Sequence, residues 1–219
     1  MNFFSFLILF FYNIEKEGAA VTINVFESVV LENERIKLIP MQIEHAKDLH
    51  EINHESIWSY MLFKATDMDL MEQWVIDAVH LREKMKSIPF IVVMKETNEV
   101  VGSTRIKEID YDNDSCEIGT TWFGVKAQKT YVNTDSKFLL LEFCFETLNM
   151  VRVQIKADER NERSNRAIER LGFQKEGVIR KERNLDGVRR NLIIYSIIDD
   201  EWPEVKENIL QLQKRYIKN

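Results

Sequence analysis

Between residues 117 and 157 the chain changes its apolar period twice, and few folds accommodate the result. Glu117 to Phe123 reads as an extended strand. Phe138, Leu141, Phe145 and Leu148 then recur at helical spacing within Thr134 to Leu148, and Val151, Val153, Ile155 and Ala157 alternate as a second strand. Two strands joined by a helix of this length lie parallel, with a right-handed crossover between them. In such units ligands collect beyond the carboxyl ends of the strands, beside the helix N-terminus, which directs the search for a site to residues 119–137.

The flanking pattern supplies the rest of an α/β domain. Arg35 to Ile39 alternates polar with apolar and stops at Pro40, and a helix with Ile43, Ala46, Leu49 and Ile52 on one face follows. Thr66 and Asp69 have the spacing of a capping box ahead of a second helix through Met71, Trp74, Val75 and Ala78. Phe90 to Met94, Val100 to Ile106 and the strand from Glu117 are placed for an antiparallel meander. A helix from Glu162 to Leu171 ends before Gly172, two strands flank the Asp186-Gly187 turn, and Glu201-Trp202-Pro203 opens a terminal helix. No repeat or linker interrupts residues 21–219, which are expected to form one domain.

Composition excludes several function classes. With 30 basic and 36 acidic side chains the formal charge is −6, which disfavours nucleic acid and anionic membrane surfaces and mildly favours a cationic partner. The two cysteines, Cys116 and Cys144, have no His or Cys at metal-ligand spacing, so neither a disulfide framework nor a metal site is expected, and a reducing cytoplasm is the expected location. The seven glycines include no G-x-G-x-x-G, and Val125 follows Gly124 where a triphosphate-binding loop needs lysine. Met1 to Tyr12 is apolar but shorter than the ~20 residues of a membrane span, and it lacks signal-peptide flanks. Residues 1–20 therefore read as an apolar leader outside the native protein. Lys16-Glu17-Gly18 is codable as a ribosome-binding site, which makes Val21 a GUG start; a short hydrophobic strand or anchor is the alternative.

Glu117-Ile118-Gly119, Trp122, Asn133-Thr134 with Lys137, Asn161 with Ser164, and Leu171-Gly172-Phe173 resemble, in order and spacing, the GNAT superfamily of acetyltransferases. More narrowly, they resemble the branch that holds the ribosomal-protein N-terminal acetyltransferases. Glu176-Gly177, Arg180, Asp186-Gly187 and Glu201-Trp202-Pro203 extend the match over roughly residues 30–210. The resemblance implies a single-domain α/β fold with a mixed, mostly antiparallel sheet, splayed between its fourth and fifth strands and covered by helices on both faces. It implies acetyl-CoA in the opening as co-substrate, no metal, and direct transfer of the acetyl group to a primary amine in a ternary complex. A protein N-terminus and a cationic small molecule are both open as acceptor, and members of this branch often form homodimers.

The family's pyrophosphate loop reads Gln/Arg-x-x-Gly-x-Gly/Ala, whereas the corresponding positions here hold Thr130, Asn133 and Asp135. A glycine-free loop still binds diphosphate if unpaired amides at a helix N-terminus face it. Asn133 tolerates left-handed backbone, Asn133 and Thr134 are good N-caps, and Lys129 and Lys137 bracket the turn with positive charge; Asp135 opposes it. The cofactor segment is thus expected at Gly124, Val125, Lys129, Thr130, Tyr131, Val132, Asn133, Thr134 and Lys137, joined by Asn161 and Ser164.

For the chemistry, the resemblance places an acidic base at Glu117, whose alternative is a strand glutamate facing solvent. The expected oxyanion donor is a backbone N–H near Gly124 or Val125. Many relatives carry a tyrosine four residues after Ser164 to protonate the leaving thiolate; Ile168 stands there, so the expectation falls on Ser164, unless it is simply the third residue of a helix capped by Asn161. Asn161 and Tyr131 either contact the cofactor or serve the backbone and core. Trp58, Tyr60 and Trp122 either wall an amine pocket or pack inside. With no loop glycine and no tyrosine acid, a non-catalytic acyl-CoA-binding module is the alternative function.

Overall fold

A computed structural model describes residues 11–16 and 19–216, with side chains from residue 27 onward. The leader reading falls partly outside the described residues, which omit 1–10, 17 and 18; Phe11–Lys16 and Ala19–Asn24 pair as an antiparallel hairpin. The main sheet has eight strands, the outermost a two-residue edge piece, Leu31–Glu32. The other seven are β1 (Ile36–Pro40), β2 (Ser87–Met94), β3 (Val100–Asp110), β4 (Ser115–Phe123), β5 (Arg152–Asp158), β6 (Gln174–Leu185) and β7 (Val188–Ile198). Their order is β1-β2-β3-β4-β5-β7-β6, antiparallel throughout except for the β4–β5 pair.

Among the described residues, besides the single turn Val25–Ser28, five helices cover the sheet: α1 (His45–Glu51), α2 (Met68–Glu83), α3 (Val132–Glu142), α4 (Glu162–Arg170) and α5 (Trp202–Arg215). On one face Leu49, Met71, Trp74 and Val75 of α1 and α2 pack with Ile91 and Val93 of β2. On the other, Phe138 to Leu141 of α3, Ile168 of α4 and Val205 and Ile209 of α5 pack with Ile118, Val153 and Tyr195. The alternation in β2 and β4 feeds both cores, which is why β2 is buried almost throughout and β4 is only half-buried at Gly119, Thr120 and Thr121 and at its first residue. At α2 the cap is Asp67, whose carboxylate accepts from the Leu70 N–H at 2.9 Å, one residue later than the Thr66-based box.

The parallel pairing of β4 and β5 is short. It joins Ser115 to Arg152, Cys116 to Val153 and Glu117 to Gln154, and then the strands part while β4 runs on to Phe123 and β5 to Asp158. The sheet is therefore split between its fourth and fifth labelled strands, as the resemblance implied. A bulge bends β4 beyond the split: its register against β3 passes from Gly119 opposite Arg105 to Trp122 opposite Ser103, with Thr120 at φ 51°.

Candidate active site

The split opens a cleft of about 1020 Å³. Its walls are the bulged half of β4, the outer half of β5, the loop from Ala127 to Thr130, the first turns of α3 and α4, and the 3₁₀ turn Glu55–Tyr60. Of the residues singled out in the sequence, Lys129, Thr130, Asn133, Lys137, Asn161, Ser164, Tyr60 and Trp122 line it.

The loop into α3 differs in detail from its sequence reading. The helix starts at Val132, two residues early, so Asn133 and Thr134 lie in its first turn and cap nothing. The N-cap residue is Tyr131, without a side-chain cap, and the turn before it is held by Thr130, whose Oγ1 accepts from the Val132 N–H at 3.3 Å and donates to the Ala127 carbonyl at 2.7 Å. The left-handed residue is Lys129, at φ 64°, and not Asn133. First-turn amides such as that of Asn133 have no intrahelical acceptor and stand at the positive end of the helix, on the cleft wall. Asp135 does not oppose an anion there: its side chain is fully buried, with Oδ1 and Oδ2 taking Arg35 at 2.6 and 2.8 Å and Gln213 donating to Oδ1 at 2.9 Å.

The remaining residues lie away from the cleft. Val132 and Thr134 face the core, and Tyr131 lies beneath the Arg35 guanidinium at 4.5 Å. The Gly124 N–H donates to the Val101 carbonyl at 2.9 Å, so it is not free for an oxyanion, and the Val125 side chain is exposed to solvent. Trp58 is buried, its Nε1 donating to Asn53 Oδ1 at 2.7 Å, and it backs Trp122 with ring centroids 5.4 Å apart. Glu117 is 3% exposed and does not line the cleft. Its Oε1 meets Lys107 Nζ at 2.7 Å and its Oε2 meets Lys156 Nζ at 3.1 Å, so a substrate proton reaches it only where an ion pair opens.

At α4, Asn161 Oδ1 accepts from the Ser164 N–H at 3.1 Å, which fixes the turn that presents both residues to the cleft. The sequence reading passed over the arginines of this wall. Arg160, Arg163, Arg166 and Arg170 all line the cleft, and Arg163 donates to Gln128 Oε1 of the opposite loop at 2.7 Å. The spacing of Arg163, Arg166 and Arg170, three to four residues apart along one helix, was the available signal. Among the described residues no group of His, Cys, Asp and Glu is placed to hold a metal ion, and no helix is long and apolar enough to cross a membrane.

This geometry has parallels. The chain is 26% identical over 174 residues to the uncharacterised N-acetyltransferase p20 of Bacillus licheniformis, covering 78% of this chain and 97% of that one. Its fold matches a GCN5-related N-acetyltransferase from Brucella melitensis at a TM-score of 0.79 and 24% identity, covering 85% and 86% of the two chains. It also matches the microcin C7 self-immunity acetyltransferase MccE, solved in complex with acetyl-CoA and AMP, at a TM-score of 0.69 and 23% identity, covering 76% and 93%. The model of the acetyltransferase (GNAT) domain matches residues 35–174, more than half of the sequence, and the chain belongs to that family.

Proposed function

We propose that this protein transfers the acetyl group of acetyl-CoA to a primary amine by direct attack in a ternary complex. The observation that carries the reading is the split between β4 and β5 with the open N-terminus of α3 at its mouth. A glycine-free turn suffices because Lys129 itself adopts the left-handed conformation and Asp135 is neutralised by Arg35. The amides following Thr130 hold the diphosphate, with the α4 arginines adding positive charge, while Asn161 and Ser164 meet the pantetheine arm. Acetyl-CoA bound to MccE supports this use of the fold.

Tyr60 and Trp122 wall the acceptor side. A cationic amine, either a peptide N-terminus or a small polyamine-like molecule, displaces a lysine from Glu117, which then takes its proton directly or through water. The thiols of Cys116 and Cys144 are free, as suits a reducing cytoplasm. Release of free thiol from acetyl-CoA over a panel of peptides and polyamines tests the proposal. Acceptor-dependent release supports it, and binding without release makes the protein a CoA-binding module instead.

A further inference from the structure

Lys137 lies in the cleft wall on the second turn of α3, with 5% of its surface exposed. Its Nζ donates to Thr121 Oγ1 at 2.6 Å, on the bulged part of β4, and that hydroxyl pairs with Thr104 Oγ1 at 2.7 Å. Among the described residues no carboxylate reaches ion-pair distance of Nζ. Asp135 on the same helix is taken by Arg35, Asp158 on β5 by Arg190, Glu117 on β4 by Lys107 and Lys156, and Glu162 on α4 by Arg166. The other charged groups of the cleft are cations, namely Lys129, Lys156, Arg160 and the α4 arginines, and Tyr216 also lines it.

An ammonium kept dry without a counter-ion is costly, and an apolar side chain fills such a space more cheaply. Such a group suits an anion that forms there during function. Burial pushes the Lys137 amine down to about 7, so that it gives up a proton readily near neutrality.

Resting on the acetyl-transfer reading above, we infer that Lys137 is the acid that protonates the sulfur of CoA as the thioester breaks. The acceptor nitrogen forms the new N–C bond, the C–S electron pair passes to sulfur, and an Nζ proton follows it, leaving CoA as the free thiol. The neutral lysine then recovers a proton from solvent, which receives through Glu117 the one lost by the acceptor nitrogen. Ser164, the sequence candidate for this step, offers a neutral hydroxyl, a far weaker acid than a desolvated ammonium.

CoA itself is the probe, since its thiolate absorbs in the ultraviolet and needs no acceptor. A thiolate beside Nζ holds the lysine's proton in place, so the two groups titrate as a pair, and the thiolate of bound CoA is expected to appear about one pH unit or more below that of free CoA. Lys137→Met, its folding checked by melting temperature, is expected to bind CoA and return the thiol to its free behaviour. With an acceptor present, kcat of that variant should fall about 100-fold, with little change in KM for acetyl-CoA. If wild-type protein binds CoA but the thiol ionises as in free CoA, the inference is overturned while the acetyl-transfer reading stands. A stable acetyl group on Lys137 after incubation with acetyl-CoA alone also overturns it, because the lysine is then an acceptor. Failure to bind CoA removes both.

Discussion

Asp135 and Lys137 stand two residues apart on α3, and the fold treats their charges in opposite ways. Asp135 is clamped by Arg35, just before β1, and by Gln213 of α5, 100 and 78 positions away in sequence. Asp135→Asn should lower unfolding free energy by about 2 kcal/mol in urea titrations, because it removes charge-assisted bonds and leaves Arg35 partly buried and unpaired. Lys137 has no such clamp, and its amine falls from the usual 10.5 to about 7. The unfolded chain therefore binds more protons than the folded one between those values, and stability from this site rises with pH across that window. Lys137→Met should accordingly exceed wild type in stability most clearly below pH 7, with the advantage shrinking toward pH 10; a constant difference across that range contradicts the lysine's desolvation. Neither disposition was legible beforehand, since local sequence shows a charge but not the distant residue that pairs it. Glu117 shows the same limit: its neighbours in sequence gave no sign of Lys107 and Lys156, which hold its carboxylate.

Elements were easier to read, because apolar period and capping chemistry are local. The meander, the crossover helix and the turn at Asp186-Gly187, with φ of 52° and 81°, follow the sequence reading closely. The differences lie at element ends: helices start one or two residues away from the expected place, where several polar side chains compete for the same amides, as with Asp67 over Thr66, and two strands run three or four residues further, from Ser87 and to Asp110. Gly172 and Gly187 separate two costs that sequence alone merges. Both have positive φ, but a Cβ at Gly172 comes 3.2 Å from Val205 Cγ2 of α5, while one at Gly187 meets nothing within 4 Å. Gly187→Ala should cost about 1 kcal/mol from backbone conformation, and Gly172→Ala about 2–3 kcal/mol once packing against α5 is added. Equal losses of melting temperature in the two variants contradict this account of the α4–α5 contact.

Over the whole molecule, topology decides what the residues can do. Parallel pairing that lasts three residue pairs and then fails turns an otherwise continuous sheet into a receptacle, and the crossover pattern announced the pairing without its length. That the strands part was implied by resemblance to a family and not by periodicity, since a splayed strand and a paired one have the same alternation. Cys116 and Cys144 illustrate the same gap: read separately as apolar positions, they meet across β4 and the helical turn after α3 with sulfurs 3.6 Å apart. The formal charge of −6 likewise hides a cleft lined with cations, so CoA binding should weaken as salt is raised despite the acidic chain. Calorimetric titration of the full chain with acetyl-CoA tests the central claim most directly. The account predicts saturable heat, competed by CoA and accompanied by a higher melting temperature; no heat and an unchanged melting temperature contradict it.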